Sequence, residues 1–398
     1  MAPHITPALQ EVREQVKSLL DAHDLKTLFS LLKSQHPADI ADLLELLDEQ
    51  ERVQVFNLLQ TEVAAEVLDE SRTEITRDLV EAIPDEKIAD LLEAMPMDDA
   101  AEVLSEIAEE RAESILELME PEEAAEVETL LAYPEDTAGR LMTTKVVRLS
   151  ASWTVEQALE HLRTVDPEVE TLAYLYVVDE QGALVGVVPV WQIVTTSPHR
   201  KISDIMERDL ITVSVNTDQE EVARVVSQYD FFAIPVIDDD RRLLGIITHD
   251  DVIDILQDEF TEDVQRFGGS QPLEYSYLSV PVLTVTRKRI GWLLVLFLTE
   301  MLTGSVMRLF EGELQQAVAL AFFVPLLIGT GGNSGSQTTS TVIRALAVGD
   351  VRFEDLFRLL WHELRVGLLL GVVMGVVGYL RALTWRTTMQ LAMTVAAA

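Results

Sequence analysis

The hydrophobic and polar positions divide the chain into three parts with different periods. Between residue 8 and about residue 132, apolar residues recur roughly every 3.6 positions, which predicts consecutive short α-helices. From Gly139 onward, short apolar runs alternate with helical patterns, and this order occurs twice, which predicts two copies of a small α/β unit. From Arg287 onward, the apolar runs are long enough to cross a membrane as helices.

The first part, which we call the platform, contains a weak internal repeat. A proline followed by acidic and then apolar residues recurs in the segments that begin at Pro37, Pro84, Pro96 and Pro121. Proline and acidic side chains are both favoured at helix N-termini. The spacing suits helical hairpins stacked in a small superhelix, and such repeat platforms usually bind something along one face.

The two α/β units have matching predicted strands. Leu175–Val178 and Leu184–Val188 of the first copy correspond to Ala233–Ile237 and Leu244–Ile247 of the second. In tandem they resemble a CBS domain pair, which is a regulatory module that often binds adenine nucleotides.

A ribose-binding motif of this module is present in the second copy only. There Gly245-Ile-Ile-Thr-His-Asp-Asp251 matches the pattern Gly-x-x-Thr-x-x-Asp at Thr248 and Asp251. The corresponding stretch of the first copy, Gly186-Val-Val-Pro-Val-Trp-Gln192, has neither the threonine nor the aspartate. The resemblance leaves open whether ATP binds, and it makes the second copy the better candidate for an ATP site.

Acidic residues recur one turn apart along a helix predicted from about Asp250 to Gly268. Those at intervals of three or four residues are Asp251, Asp254, Asp258 and Glu262. Like charges at this spacing destabilise an isolated helix by about 0.2–0.5 kcal/mol per pair, and a single stripe of this kind is usually a solvated face. The platform, however, carries Asp98 and Glu102 one turn apart and Glu66 on another helix. We interpret these acids as surfaces that close when divalent cations neutralise them.

Asp218 and Glu220 of the second copy have a specific alternative explanation. They lie at the start of a predicted helix, and Thr217-x-x-Glu220 has the pattern of a capping box. Their acidity alone is therefore not evidence for a metal site.

The C-terminal part contains two apolar runs between basic residues. Ile290–Met307 follows Arg287-Lys-Arg289 and is interrupted only by Glu300, an intramembrane acid and by default a functional candidate. Val366–Leu380 lies between arginines. Of the basic residues in short loops, seven lie on the same side of the membrane as the N-terminal domains, and three (one of them Arg386) lie on the opposite side. This excess predicts that the N-terminal domains are cytoplasmic.

Between these runs lies the segment Phe322–Leu346, in which twelve consecutive residues from Gly329 to Ser340 are small or polar. Pro325 and four glycines favour a loosened backbone, which survives at membrane depth only against protein or a water-filled cavity. The alternative is a glycine-rich helix contact. We interpret the segment as an ion path lined by neutral oxygen atoms, which suit Mg²⁺. Its candidate residues are Gly329, Thr330, Gly331, Gly332, Asn333 and Gln337.

The charge distribution changes the expected partners. The net charge is −38, and the first 286 residues hold twenty basic and sixty-one acidic residues. So acidic a soluble part should repel nucleic acid and anionic lipid and should attract cations. The chain has no cysteine, which fits a reducing cytosol.

The order of these features resembles the MgtE family of magnesium channels over nearly the whole chain. The resemblance rests on the platform, the CBS pair, the acidic helix, the segment Gly329-Thr-Gly-Gly-Asn-Ser-Gly-Ser-Gln337 and the motif Tyr133-Pro-Glu-Asp-Thr-Ala-Gly-Arg-Leu-Met142. It implies a homodimer with five membrane helices per subunit, the second and fifth lining a pore on the two-fold axis. The acidic helix would plug that pore when magnesium holds the sensor compact.

The resemblance also implies a set of magnesium-binding acids. By position these are Glu66, Asp98, Glu102, Asp218, Glu220, Asp230, Asp251, Asp254, Glu259, Glu262 and Asp263. Glu102 stands where the family has an aspartate, and Ser227 where it has an alanine. The family's fifth helix supplies a pore aspartate, and the sequence predicts a membrane domain that stops mid-helix, within Thr387–Ala398.

We therefore predict a multidomain protein with an all-α superhelical N-terminal domain, an α/β CBS domain pair and an α-helical transmembrane domain. The predicted boundaries are 1–138 for the platform, 139–202 and 203–257 for the two CBS copies, 258–286 for the acidic connecting helix and linker, and 287–398 for an incomplete transmembrane domain.

The predicted function is a magnesium channel of the cytoplasmic membrane, gated by its own cytosolic sensor and surrounded by lipid. The alternatives are a membrane-tethered magnesium- or nucleotide-sensing regulator without transport, and a channel for cobalt, manganese or calcium. An enzyme is not expected, because the sequence contains neither a phosphate-binding P-loop nor an HExxH motif.

Overall fold

The computed structural model describes residues 7–165, 171–273, 277, 280–312, 323–347, 350–385 and 388–398. Phe322, Arg386 and Thr387, which the sequence analysis used, lie outside these ranges. The chain forms two compact units: Met1–Asp263 with Leu273–Val280, and Val264–Pro272 with Pro281–Ala398.

Short helices follow one another along the platform, as the apolar period predicts. Their bounds are α1 Pro7–Asp21, α2 Leu25–Leu32, α3 Pro37–Glu45, α4 Glu49–Phe56, α5 Thr61–Asp69, α6 Thr73–Ala82, α7 Asp85–Leu92, α8 Met97–Ser105, α9 Glu109–Leu116 and α10 Pro121–Leu131. The repeated prolines mark helix starts: Pro37 and Pro121 are the first residues of α3 and α10, while Pro84 and Pro96 immediately precede α7 and α8. Each helix is too short to be stable alone, so the shared apolar core holds the stack together.

The middle of the chain forms two α/β copies with the same topology. Their elements are α11 Ala138–Leu141, β1 Arg148–Ser150, α12 Val155–Leu162, β2 Tyr174–Val178, β3 Leu184–Pro189, α13 Val190–Thr195, a 3₁₀ turn Ile202–Asp204, β4 Val213–Ser214, α14 Gln219–Tyr229, β5 Ala233–Ile237, β6 Leu243–Thr248 and α15 His249–Phe267. Each copy has a three-stranded sheet with one parallel and one antiparallel pair, in the orders β1-β2-β3 and β4-β5-β6. The internal duplication predicted from the sequence is confirmed. Helix α15 runs without a break through the predicted boundary between the second CBS copy and the connecting helix, at residues 257 and 258.

Helix α11 joins the platform to the second copy. The backbone amides of Ala138, Gly139 and Thr143 donate to carbonyl oxygens of Thr217, Val215 and Ile246, each at 2.8 Å. Gly139 lies against the ring of Tyr133, and a Cβ at this position would come within 2.7 Å of the ring carbon Cγ. Only glycine allows this approach without displacing the ring.

The second unit is helical. Its elements are α16 Val282–Leu309, α17 Val324–Ala347, a 3₁₀ turn Phe353–Asp355, α18 Leu356–Thr384 and α19 Met389–Ala397. Among the described residues, α16 and α18 are long and apolar enough to cross a membrane. Helices α18 and α19 pack closely, since a Cβ on Gly375 would lie 2.6 Å from the carbonyl oxygen of Ala396. The predicted fold class is confirmed by these helices together with the platform and the paired copies.

The expectation of a loosened backbone between Gly329 and Ser340 is wrong. Helix α17 runs without interruption through this segment. Pro325 is the second residue of α17, where a missing amide donor costs little. Serine and threonine hydroxyls bond back to the carbonyl four residues earlier, for example from Thr330 to Leu326 at 2.8 Å. The small residues therefore form a helix with a polar surface rather than a broken one.

Candidate metal centre

Three aspartates of the first unit come together at the starts of two helices. Asp98 and Asp99 lie in the first turn of α8, and Asp251 lies in the first turn of α15. One carboxylate oxygen from each lies within 4.8 Å of the others. Asp98 is buried and the other two are half-buried. Since helix N-termini carry a partial positive charge, two of them here support a concentration of negative charge.

Further acids surround this group, and their charges act on one another. We use the term acid cluster for the set Asp69, Glu70, Asp98, Asp99, Glu102, Asp251, Asp254 and Asp258. Loss of hydration, followed by the charges of Glu70, Glu102, Asp251 and Asp254, raises the pKa of Asp69 to about 7. As a whole residue Asp69 remains exposed, so water screens part of this repulsion.

The acids of α8 and α15 are shifted in the same direction. Burial raises the pKa of Asp251 to about 6, although two hydrogen bonds from Thr248 oppose the shift. Burial and neighbouring acids, in that order, also raise the pKa values of Glu102 and Asp254, and burial raises that of Asp258. Packing α15 against the platform thus has an electrostatic cost that a bound cation would remove.

The acid cluster can hold a hard divalent cation. Its donors are carboxylate oxygens, which Mg²⁺ and Ca²⁺ prefer, and they come from separate elements of the platform and of α15. An ion bound between Asp98 or Asp99 and Asp251 would connect the platform to the second copy.

Five members of this cluster are visible in the sequence: Asp98, Glu102, Asp251 and Asp254 as candidate ligands, and Asp258 as part of the acidic stripe. Asp69, Glu70 and Asp99 are not predicted. Two signals were available: Asp99 follows Asp98 within one helical turn, and Asp69 lies three residues after the predicted Glu66 on α5.

A second group of predicted acids lies between α14 and α15. Burial, followed by the charges of Glu259, Asp218 and Asp263, raises the pKa of Glu220. The side-chain amide of Gln219 donates to Glu259 Oε1 at 2.8 Å, which connects the two helices. Three of the predicted ligands therefore act on a fourth, Glu220.

The proposed capping box at Thr217 is wrong. The N-cap of α14 is Asp218, whose Oδ1 accepts from the backbone amide of Glu220 at 3.0 Å. The Thr217 hydroxyl instead accepts from the amide of Ser214 at 3.0 Å. The chain enters α14 one residue later than the motif implies, so a capping role does not explain Glu220.

Three other predicted ligands occupy separate positions. Glu66 lies on the exposed side of α5, and Glu262 is half-buried on α15. Asp230 follows α14 in the left-handed conformation, with φ of 54°. Their assignment as ligands stays a prediction.

Thr248 and Asp251, the predicted ribose ligands, are bonded to each other. The Thr248 hydroxyl donates to Asp251 Oδ2 at 2.6 Å, and the Thr248 amide donates to the same oxygen at 3.1 Å. This arrangement fixes the start of α15. It also orients the Asp251 carboxylate, which the acid cluster shares.

The candidate ion-path residues lie along α17. Thr330 is half-buried, whereas Gly329, Gly331, Gly332, Asn333 and Gln337 are exposed in the single chain. Farther along the helix, the Thr338 hydroxyl donates to Glu363 Oε2 of α18 at 3.1 Å. The helix therefore has a polar contact on one side and an uncovered polar surface on the other.

Comparisons with known proteins match each part of the chain. The model of the MgtE intracellular N domain matches residues 35–136, that of the CBS domain matches 138–198 and 202–258, and that of the divalent cation transporter family MgtE matches 324–398. The magnesium transporter MgtE of Thermus thermophilus is 43% identical over 251 residues, which are 63% of this chain and 56% of that protein. The magnesium transporter MgtE of Bacillus subtilis is 35% identical over 270 residues, 68% of this chain and 59% of that protein. The chain thus spans little more than half the length of these relatives.

Two solved structures are similar to about three fifths of this chain. The cytosolic domain of the Mg²⁺ channel MgtE in complex with ATP is 36% identical with a TM-score of 0.59, and the match covers 61% of this chain and 99% of that one. The soluble part of a magnesium transporter is 33% identical with a TM-score of 0.58, covering 63% and 99%.

Proposed function

The chain belongs to the MgtE family, and on this premise we propose that it is a magnesium channel of the cytoplasmic membrane, gated by magnesium on its own cytosolic domains. Magnesium is then both the transported ion and the regulator. In this proposed function the protein transports an ion and catalyses no chemical reaction.

The observation that carries this proposal is the meeting of Asp98, Asp99 and Asp251 within 4.8 Å. Two of these acids belong to the platform and one to the helix that leads towards the membrane segments. A bound Mg²⁺ would replace their mutual repulsion by attraction and hold the platform against α15. Loss of the ion would release the platform.

The acids at α14 and α15 supply a second place for regulation. Glu220 and Glu259 lie on different helices and repel each other. If each group binds an ion only in the closed arrangement, the closing free energies add, and each site contributes about 2.7 kcal/mol at a hundred times its dissociation constant. Closure would then depend steeply on magnesium.

The proposed ion path follows the exposed polar side of α17. Asn333 and Gln337 offer amide oxygens without a fixed charge, and Mg²⁺ keeps much of its hydration shell when it binds such ligands. In one copy this surface is uncovered, so we propose a homodimer in which two copies face each other across the path. Helices α16 and α18 support a multi-pass arrangement in lipid.

ATP is the proposed second ligand of the cytosolic part. A relative's cytosolic domain carries ATP, and Thr248 and Asp251 of this chain match a ribose motif. Since Asp251 also belongs to the acid cluster, ATP and magnesium would influence each other's binding through this residue. The strongly acidic soluble part gives nucleic acid no attractive surface.

The proposal is tested in a bacterium that lacks its own magnesium transporters. The protein should restore growth at low magnesium and should carry magnesium into liposomes, with flux falling as magnesium on the cytosolic side rises. Membrane insertion and magnesium binding without flux would instead support a regulator without transport. Equal flux of cobalt, manganese or calcium in competition would assign a different cation.

A further inference from the structure

A buried arginine lies beside the acid cluster. Arg140 belongs to α11, and only 7% of its surface is exposed. Its Nη2 donates to the carbonyl oxygen of Ala101 in α8 at 3.0 Å. The neighbouring amides of Ala138 and Gly139 in α11 are bonded to the second copy, and we call this connection, residues 132–143, the joint. The side chain of Arg140 therefore reaches from the joint to the platform.

Arg140 meets the platform beside an acidic residue. Ala101 is the middle residue of α8, and its carbonyl oxygen accepts the hydrogen bond from Arg140. The next residue, Glu102, is a member of the acid cluster. Glu135 and, after it, Glu102 are the acids whose charges act on the guanidinium.

Arg140 remains a cation at this position. Burial lowers the pKa of its guanidinium, and Glu135 and Glu102 oppose the shift. Arginine does not lose its proton at physiological pH in proteins. A buried charge needs a partner of opposite sign nearby, and the acid cluster likewise needs a cation.

We propose that Arg140 is a built-in counter-ion of the acid cluster, which holds α8 to the joint before any divalent cation binds. In this role Arg140 is a positioning residue: it neutralises part of the repulsion around Glu102 permanently. Magnesium then has less repulsion to overcome, so the domains close at a lower magnesium concentration. This regulatory consequence rests on the proposed function, whereas the magnesium-free contact does not.

Hydrogen exchange of the chain in detergent tests the proposal. The amides of Ala138, Gly139 and Thr143 report whether the joint is docked, because each bonds to the second copy. Two substitutions separate charge from hydrogen bonding: Arg140→Gln keeps a donor for Ala101 but has no charge, and Arg140→Lys keeps the charge.

In magnesium-free buffer we expect exchange in residues 133–143 to be about fivefold faster for Arg140→Gln, as for the loss of a charge attraction of about 1 kcal/mol. Arg140→Lys should stay close to the unaltered chain. The magnesium concentration that gives half-maximal protection should rise about fivefold for Arg140→Gln only. If both variants exchange equally fast, or neither changes, the charge of Arg140 has no such role.

A double-mutant cycle with Glu102→Gln decides whether Arg140 acts through the acid cluster. In the Glu102→Gln background, Arg140→Gln should have a clearly smaller effect, because the acid of α8 whose charge acts on the guanidinium is gone. An undiminished effect would overturn the proposal. If magnesium fails to protect the unaltered chain, the proposed sensing function fails, and the magnesium-free comparison still decides the role of Arg140.

Discussion

Replacing Asp251 by asparagine should make closure of the cytosolic domains less dependent on magnesium. The substitution keeps the size of the side chain and removes one of the three charges that meet at the starts of α8 and α15. In the magnesium-free protein, the repulsion of Asp251 by Asp98 and by Asp99 disappears. In the magnesium-bound protein, one ligand charge is lost.

The magnitude follows from the separation of the carboxylates. Two unit charges 4.8 Å apart interact by about 1 kcal/mol in water and by about 3.5 kcal/mol at an effective dielectric constant of 20. The site is half-buried, so two such pairs amount to at least about 2 kcal/mol. The magnesium-free ratio of closed to open forms should therefore rise about thirtyfold or more.

The assay is limited proteolysis of the joint around residues 132–139 at pH 8, where Asp251 with its pKa of about 6 is ionised. The unaltered chain should become resistant in millimolar magnesium and stay sensitive without it. Asp251→Asn should be more resistant without magnesium and gain little from it. Asp239→Asn is the control of equal net charge, because Asp239 lies in the turn between β5 and β6, outside the acid cluster.

Two results would refute this reasoning. The acids would be an ordinary solvated face if sodium chloride at equal ionic strength protects the joint as well as magnesium does, since screening is not coordination. The assignment of Asp251 would fail if Asp251→Asn behaves like Asp239→Asn.

Three further predictions concern the ion path, the nucleotide and the pH. Asn333→Ala should abolish magnesium uptake while membrane insertion and helix content stay normal, and normal uptake would remove Asn333 from the path. Thr248→Ala should weaken ATP binding measured by calorimetry, whereas Pro189→Ala in the first copy should not. If the unaltered chain gives no heat of ATP binding, ATP is not a ligand. Because the folded-state pKa values of Asp69 and Asp251 are raised to about 7 and about 6, their destabilising charges are almost fully present at about pH 8 and disappear as the pH falls towards 4. The magnesium-free closed form should gain proteolytic resistance between pH 8 and pH 5, and more magnesium should be needed for half-maximal binding; a flat pH profile would contradict these shifts.

Local periodicity by itself determined most of the secondary structure. The strand Ala233–Ile237 has the bounds that the sequence predicts, because neighbours in the chain decide which face is apolar. The duplication of the α/β unit was also visible, since the same residue types recur in the same order. An acidic side chain with a second acid one helical turn away was enough to select Asp98 and Asp251 as candidate ligands.

Backbone details that depend on position within a helix were harder to predict. The small and polar residues of α17 suggested a break, but Pro325 lies in the first turn and the hydroxyl groups bond within the helix. Composition does not show where a helix begins, so the same residues are compatible with a broken helix and with a continuous one. At α14 the start shifted by one residue and changed which acid caps the helix.

Only the tertiary structure decided which charges meet. Asp69, Asp99 and Asp258 join the acid cluster through the packing of α5, α8 and α15, and Arg140 approaches Glu102 from α11. Spacing along the chain measures distances within one helix, whereas the distance between two helices depends on the core that packs them together. A carboxylate on one short helix is a solvated side chain, and it becomes a candidate metal ligand when a second helix brings another carboxylate within 4.8 Å.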